Sequence, residues 1–195
     1  MKKLTDSELN NGSAKPRFSV VTKHTEASIR RLSTVQYNTF FKRAKFGYYG
    51  LCFMLVFAGV YFGGMAGLAC LLIACFMVTG ANLPAKRNAD KVIKSMKGNY
   101  PETEYDFFSR ELRFGSPGEK YDDMGIVDYT RFEAFVEDDE YLFLFVTKYG
   151  AYVIPKNLLG ERVDDVKELV EKASGKAFER ASSGIKLKDI LNRKG

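Results

Sequence analysis

The sequence predicts an α+β membrane protein: a two-helix transmembrane hairpin joined to a small antiparallel β roll capped by a C-terminal helix. Three observations carry this. Residues 46–85 contain no Asp, Glu, Lys, Arg or His, although 28% of the 195 residues are charged. That stretch is about twice the roughly 20 apolar residues a helix needs to cross a hydrocarbon core of about 30 Å. Beyond Tyr100 apolar residues recur with period two and aromatics are frequent, which is a strand pattern. Chain averages conceal this division. A mean hydropathy of −0.21 and a net charge of +6 would describe an ordinary basic soluble protein.

In chain order, residues 1–16 are polar and lack apolar periodicity, as expected of a mobile N-terminal tail. Residues 17–45 hold a short strand and a juxtamembrane helix. Arg17–Thr22 (RFSVVT) is β-prone, and Ile29, Leu32, Tyr37, Phe40 and Phe41 are apolar anchors among basic residues. Thr25 is a suitable N-cap with Glu26 in the first turn, and the helix is expected to run into the first span. It either lies on the lipid surface or packs against the C-terminal domain, and the sequence leaves both open.

The hairpin occupies residues 46–84. Gly63-Gly64 is a turn signal that divides it into spans over about 46–62 and 65–83. Pro84 marks the exit, because proline disfavours helix in the residue before it. A core helix pair of a soluble protein rarely runs so long without a charge. A secretory signal would carry an apolar region of about 7 to 15 residues near the N-terminus, which this is not. Lys42, Arg43 and Lys45 precede the first span, and Lys86, Arg87, Lys91, Lys94 and Lys97 follow the second, while the turn is uncharged. The positive-inside rule then puts both termini in the cytoplasm, with Tyr48 and Tyr49 at the headgroups. The same basic residues are placed to meet anionic lipid headgroups, although topology alone is the simpler account of them.

Small residues recur every fourth position at Gly59, Gly63 and Gly67, and at Ala66, Cys70 and Ala74. Such faces let membrane helices approach closely, either within one hairpin, the simpler reading, or in a homo-oligomer. Cys52, Cys70 and Cys75 all lie in the spans and read as small apolar packing residues rather than a disulfide framework. With one His in the chain, a Cys/His zinc site cannot be assembled.

Residues 101–173 form the C-terminal domain. Tyr105–Phe108, Glu111–Phe114, Gly125–Val136, Tyr141–Thr147 and Ala151–Ile154 read as strands. Turn chemistry separates them at Gly115–Gly118, Glu137–Glu140 and Tyr149-Gly150, and Pro155 ends the last. Val163, Val166, Leu169, Val170 and Ala173 then share one helix face, with Asp164 and Asp165 in its first turn. Residues 174–195 read as a basic tail, in which Ile185, Leu187, Ile190 and Leu191 would suit one short helix. Net charge is +7 over residues 1–45, +4 over 86–100 and −5 over 101–195. Because the strand-rich domain is acidic, nucleic acid is not an expected partner.

Chemistry-bearing clusters have simpler structural readings. Glu133, Glu137, Asp138, Asp139 and Glu140 lack the spacing of a calcium loop and read as a solvated hairpin turn of repelling carboxylates. Asp122, Asp123 and Asp128 suit turns better than acid–base work. His24 has no nucleophile in an interpretable motif. There is no GxxxxGK[ST] and no GxGxxG after a strand, so nucleotide binding has no support. Catalytic residues, cofactors and metals are accordingly not expected.

Over residues 15–172 the chain resembles the YcxB-like family of bacterial membrane proteins. The resemblance rests on the order of elements: RFSVVTKHTEAS, two closely spaced spans, then FEAFVEDDEYLFLF leading to a strand that ends Ile154-Pro155-Lys156. The tail after Ala177 is longer than the usual pattern. The resemblance implies a pleckstrin-homology-like roll and an anchoring role, and brings no catalytic residues. The expectation is a non-enzymatic, multi-pass protein of the bacterial inner membrane that presents a cytoplasmic protein- or lipid-binding module. Its contact surface would be a sheet edge with aromatics near Tyr141–Tyr152, toward a protein partner not identified by sequence. A membrane-embedded enzyme or transporter would carry an ionisable residue within the spans, and none is present. An immunity-type membrane protein is a third alternative.

Overall fold

The computed structural model describes residues 15–80 and 82–181. Most of the expected N-terminal tail, and the C-terminal tail from residue 182 with its expected short helix, lie outside the described residues. The chain divides into two units: residues 25–99, and a second that joins the segment ending at His24 to residues 100–180.

The first unit is helical: α1 (Glu26–Phe40), α2 (Lys42–Phe62), α3 (Gly64–Gly80) and α4 (Leu83–Met96). Thr25 caps α1 as anticipated. Its hydroxyl accepts from the Ser28 amide at 3.1 Å, and its own amide donates to Ser28 Oγ at 2.9 Å. This reciprocal box satisfies two amides that the first helical turn would otherwise leave unpaired. The helix does not continue into the next one. Phe41 leaves helical geometry at φ −110°, ψ 27°, and its ring stacks on Tyr37 at 5.9 Å.

The turn between α2 and α3 falls where the Gly-Gly signal put it. Gly63 and Gly64 both take left-handed backbone angles, φ 57° and 54°, which cost a glycine little and any other residue more. α3 stops at Gly80, three residues before the expected end of the second span. Leu83 instead opens α4, an element the sequence reading did not contain. Pro84 sits in its first turn, where the missing N–H costs nothing and the fixed φ favours the helix. α1 packs along α4, a neighbour the sequence did not suggest for it. Ile29 and Val35 of α1 are buried, as are Ala85 and Ala89 of α4, and Arg30 pairs with Asp90 at 2.5 Å.

The second unit is α+β. Its strands are β1 (Phe18–Lys23), β2 (Glu102–Phe107), β3 (Glu111–Gly115), β4 (Gly125–Asp128), β5 (Ala134–Glu137), β6 (Tyr141–Thr147), β7 (Gly150–Pro155) and β8 (Phe178–Arg180). They form two four-stranded sheets, ordered β1-β2-β3-β4 and β7-β6-β5-β8. All pairs are antiparallel except β5–β8. A four-residue helix, α5 (Lys156–Leu159), and the longer α6 (Val163–Ser174) complete the unit. β1 lies far from the other strands in sequence yet pairs along its whole length with β2, from Phe18↔Phe107 to Lys23↔Glu102.

Between the sheets sits an aromatic-rich core that includes Tyr105, Phe107, Tyr129, Phe132, Phe135 and Leu144, closed by Val166 and Val170 of α6. Burying each such side chain contributes about 1.5–3 kcal/mol. The single strand expected over 125–136 is two strands, one in each sheet. Asp128 breaks it: its carboxylate accepts from the Thr130 amide at 2.8 Å and the Thr130 hydroxyl at 2.6 Å. The resulting 3-10 turn, Tyr129–Arg131, carries the chain from one sheet to the other. Tyr129 is buried there, its hydroxyl donating to the Phe108 carbonyl at 3.2 Å.

Part of the expected tail is also structured. Gly175, at φ 72°, ends α6 and reverses the chain, so that β8 runs parallel to β5 with Phe178 opposite Phe135. The Phe178 amide donates to Glu171 Oε1 at 2.7 Å.

Candidate membrane-anchoring site

The charge-free stretch folds into two helices packed side by side. Closest approach occurs at Gly59 and Gly67. A Cβ on Gly67 would collide with the Gly59 carbonyl oxygen, and one on Gly59 would lie 2.9 Å from Leu71 Cγ. Cys52 and Ala74 are also buried. Gly63 serves the turn instead, Ala66 is exposed and Cys70 half-buried. The two small-residue series are thus divided: Gly59, Gly67 and Ala74 are used inside the hairpin, and Gly63 and Ala66 are not. Tyr48 turns toward α3, where its hydroxyl donates to the Met77 carbonyl at 2.8 Å; Tyr49 is exposed.

The remaining surface of the hairpin is apolar and outward-facing. Phe46, Phe53, Phe57, Val60, Leu72 and Phe76 are all exposed. Among the described residues, α2 alone is long and apolar enough to cross a membrane; α3 passes the same test only together with α4, across a 44° bend. At its basic end, Lys42 and Arg43 are exposed, and Lys45 donates to Asn38 Oδ1 at 2.9 Å and Asn82 Oδ1 at 3.4 Å. Lys86, Arg87, Lys91, Lys94 and Lys97 are exposed on or just after α4.

In the second unit the acidic segment is more ordered than a turn of repelling carboxylates. Glu137 accepts from Lys156 at 2.6 Å and Lys167 at 2.8 Å, which ties β5 to α5 and α6. Burial opposes its charge, yet the two ammonium groups prevail and hold its carboxyl below the usual range. Asp138 is buried and accepts from the Glu140 and Tyr141 amides at 2.8 and 2.7 Å, shaping the turn. Asp139 pairs with Arg180. No group of three or more metal-ligating side chains occurs among the described residues.

Asp106 on β2 behaves in the opposite way. It is 2% exposed, and its Oδ1 has no hydrogen-bond partner. Burial and the nearby Glu104 push its carboxyl up, against the pull of Ser19 and Arg113. Burial also lowers the imidazole of His24.

The aromatics near Tyr141–Tyr152 are divided: Tyr149 is 72% exposed beside β7, an edge strand of its sheet, and others turn into the core. Phe143 and Phe145 are fully buried, and Tyr152 packs on Phe114 with ring centroids 4.6 Å apart. An open cleft of about 760 Å³ lies elsewhere in this unit, among Arg17, Arg110, Asp128, Asp165 and Glu168. Sequence reading missed it, since its lining comes from β1, the β2–β3 turn, β4 and α6. Its walls carry both signs of charge.

The segment from the β3–β4 turn to α6 carries a family signature. Residues 120–170 match the YcxB-like protein family. This YcxB-like segment contains β4 to β7, including the acidic turn and the Ile154-Pro155-Lys156 strand end on which the resemblance was drawn. No curated protein and no solved structure matches the chain.

Proposed function

We propose that the protein is an integral, multi-pass protein of the bacterial inner membrane. Its hairpin would anchor a cytoplasmic, non-enzymatic binding module with a pleckstrin-homology-like roll. The observation that carries this reading is the outward display of Phe53, Phe57, Val60, Leu72 and Phe76 on helices that lack any charge from Phe46 to Ala85. Soluble monomers rarely expose contiguous apolar patches beyond a few hundred Å². At 1.5 Å per residue, α2 is about 32 Å long and α3 about 26 Å, close to a hydrocarbon core of about 30 Å. Basic residues at one end of the hairpin only, with an uncharged turn at the other, favour both termini in the cytoplasm.

The roll is supported by two largely antiparallel sheets and a closing C-terminal helix. Its carboxylates Glu137, Asp138 and Asp139 hold structure, which supports a binding rather than a catalytic module. The mixed-charge cleft is its best candidate surface for a polypeptide partner. The test is extraction. Membranes from cells making the full chain, washed with alkaline carbonate, retain it until detergent is added; release by carbonate alone contradicts the anchor.

A further inference from the structure

α4 carries a concentration of unneutralised charge that membrane topology does not require. At 3.6 residues per turn, Lys86, Arg87, Lys91 and Lys94 fall within an arc of about 140°, and Lys97 follows at the helix end with φ 49°. Ala85 and Ala89, on the opposite side, are buried. The one acid within the arc, Asp90, is already paired with Arg30. None of the five cations has an ion-pair or hydrogen-bond partner among the described residues. In the other unit Lys156, Lys167, Lys172, Arg113 and Arg180 are paired with carboxylates, while Arg110, Lys120 and Arg131 are spread over separate loops and make no such face. The helix leaves α3 at a 44° bend.

We propose that the basic face of α4 is a docking strip for anionic phospholipid headgroups. This rests on the anchor reading, because α4 follows α3 directly and its strip begins where the apolar surface stops. Several unpaired cations along one face match the closely spaced phosphates of an anionic leaflet, whose potential decays over about 8–10 Å. Lys86 and Arg87 lie closest to the span and suffice to orient it, so Lys91, Lys94 and Lys97 test the strip separately.

The experiment reconstitutes the full chain in nanodiscs of equal phosphatidylglycerol and phosphatidylcholine, and weighs the lipids it retains on release by native mass spectrometry. Wild type is expected to retain phosphatidylglycerol preferentially. The variant Lys91→Gln/Lys94→Gln/Lys97→Gln is expected to lose that preference at least about tenfold, and the matching triple Arg variant to keep it. Equal preference in the wild type and the Gln variant overturns the strip while leaving the anchor intact. A wild-type chain that stays in the aqueous fraction overturns both. Loss in the Gln variant that is matched by equal loss in the Arg variant assigns the effect to helix packing and overturns the strip. Displacement of phosphatidylglycerol by a short DNA duplex at equal charge concentration overturns the lipid assignment in favour of a general polyanion surface.

Discussion

Phenylalanine behaves differently in the two units. In the helical unit Phe53 and Phe57 are 70% and 66% exposed, whereas in the α+β unit Phe107 and Phe132 are 0% exposed. The residue type is the same and its exposure is not. In the sheets, burial against Tyr129 or Leu112 removes the ring from water, and that burial is what drives folding. In the hairpin, Gly59 and Gly67 let the two backbones meet and leave the rings outside, which is the arrangement expected if the proposed anchor lies among lipid tails.

This contrast can be broken by exchanging the roles of the rings. Phe107→Ala leaves a cavity in the core and should cost about 3–5 kcal/mol, read as a large drop in thermal stability in detergent, while carbonate resistance is unchanged. Phe57→Ala should change stability by less than about 0.5 kcal/mol. Phe57→Lys should instead impair membrane integration by about 2.5–3.5 kcal/mol without altering the unfolding of the roll. If Phe57→Ala proved as damaging as Phe107→Ala, the hairpin rings would be core rings.

A smaller effect sharpens the electrostatic side of the contrast. Lys156 and Lys167 of the roll are paired with a carboxylate, whereas the cations of α4 are not. Glu137→Gln removes the shared partner of Lys156 and Lys167, with an expected loss of about 1.5–3 kcal/mol in chemical denaturation. Because the folded-state carboxyl is held below its ordinary value of 4.5, its contribution is complete above that pH. It fades as pH falls through the lowered value. Wild type and Glu137→Gln should therefore differ most near neutrality and converge in acid.

Much of this fold was legible in the sequence. Gly63-Gly64, the Thr25 cap, and the strands around Glu111, Tyr141 and Ala151 all announce themselves by local chemistry. What escaped was decided by contacts distant in sequence or by residues with two readings. The β1 run gave no sign that β2 would be its partner, since pairing depends on register between remote segments. Pro84 ends a helix as naturally as it begins one. Asp128 fits the alternation of a long strand while also capping a turn, and the turn prevailed because Tyr129 and Phe132 both gain burial. The acidic turn was legible in composition only; its partners Lys156, Lys167 and Arg180 come from elements that follow it. For the candidate site, the basic residues and apolar stretch were evident at once. The continuous face of α4 was not, because the helix itself went unread.

The central claim is that the hairpin crosses a membrane with its turn on one side and both ends on the other. Single cysteines at Met65, 84% exposed beside the turn, or at Lys97, in a chain with Cys52, Cys70 and Cys75 replaced by Ala, test it directly. In intact spheroplasts a membrane-impermeant maleimide should label Met65→Cys and leave Lys97→Cys unmodified until the cells are lysed. Labelling of both positions only after lysis, or of both before it, would contradict the account.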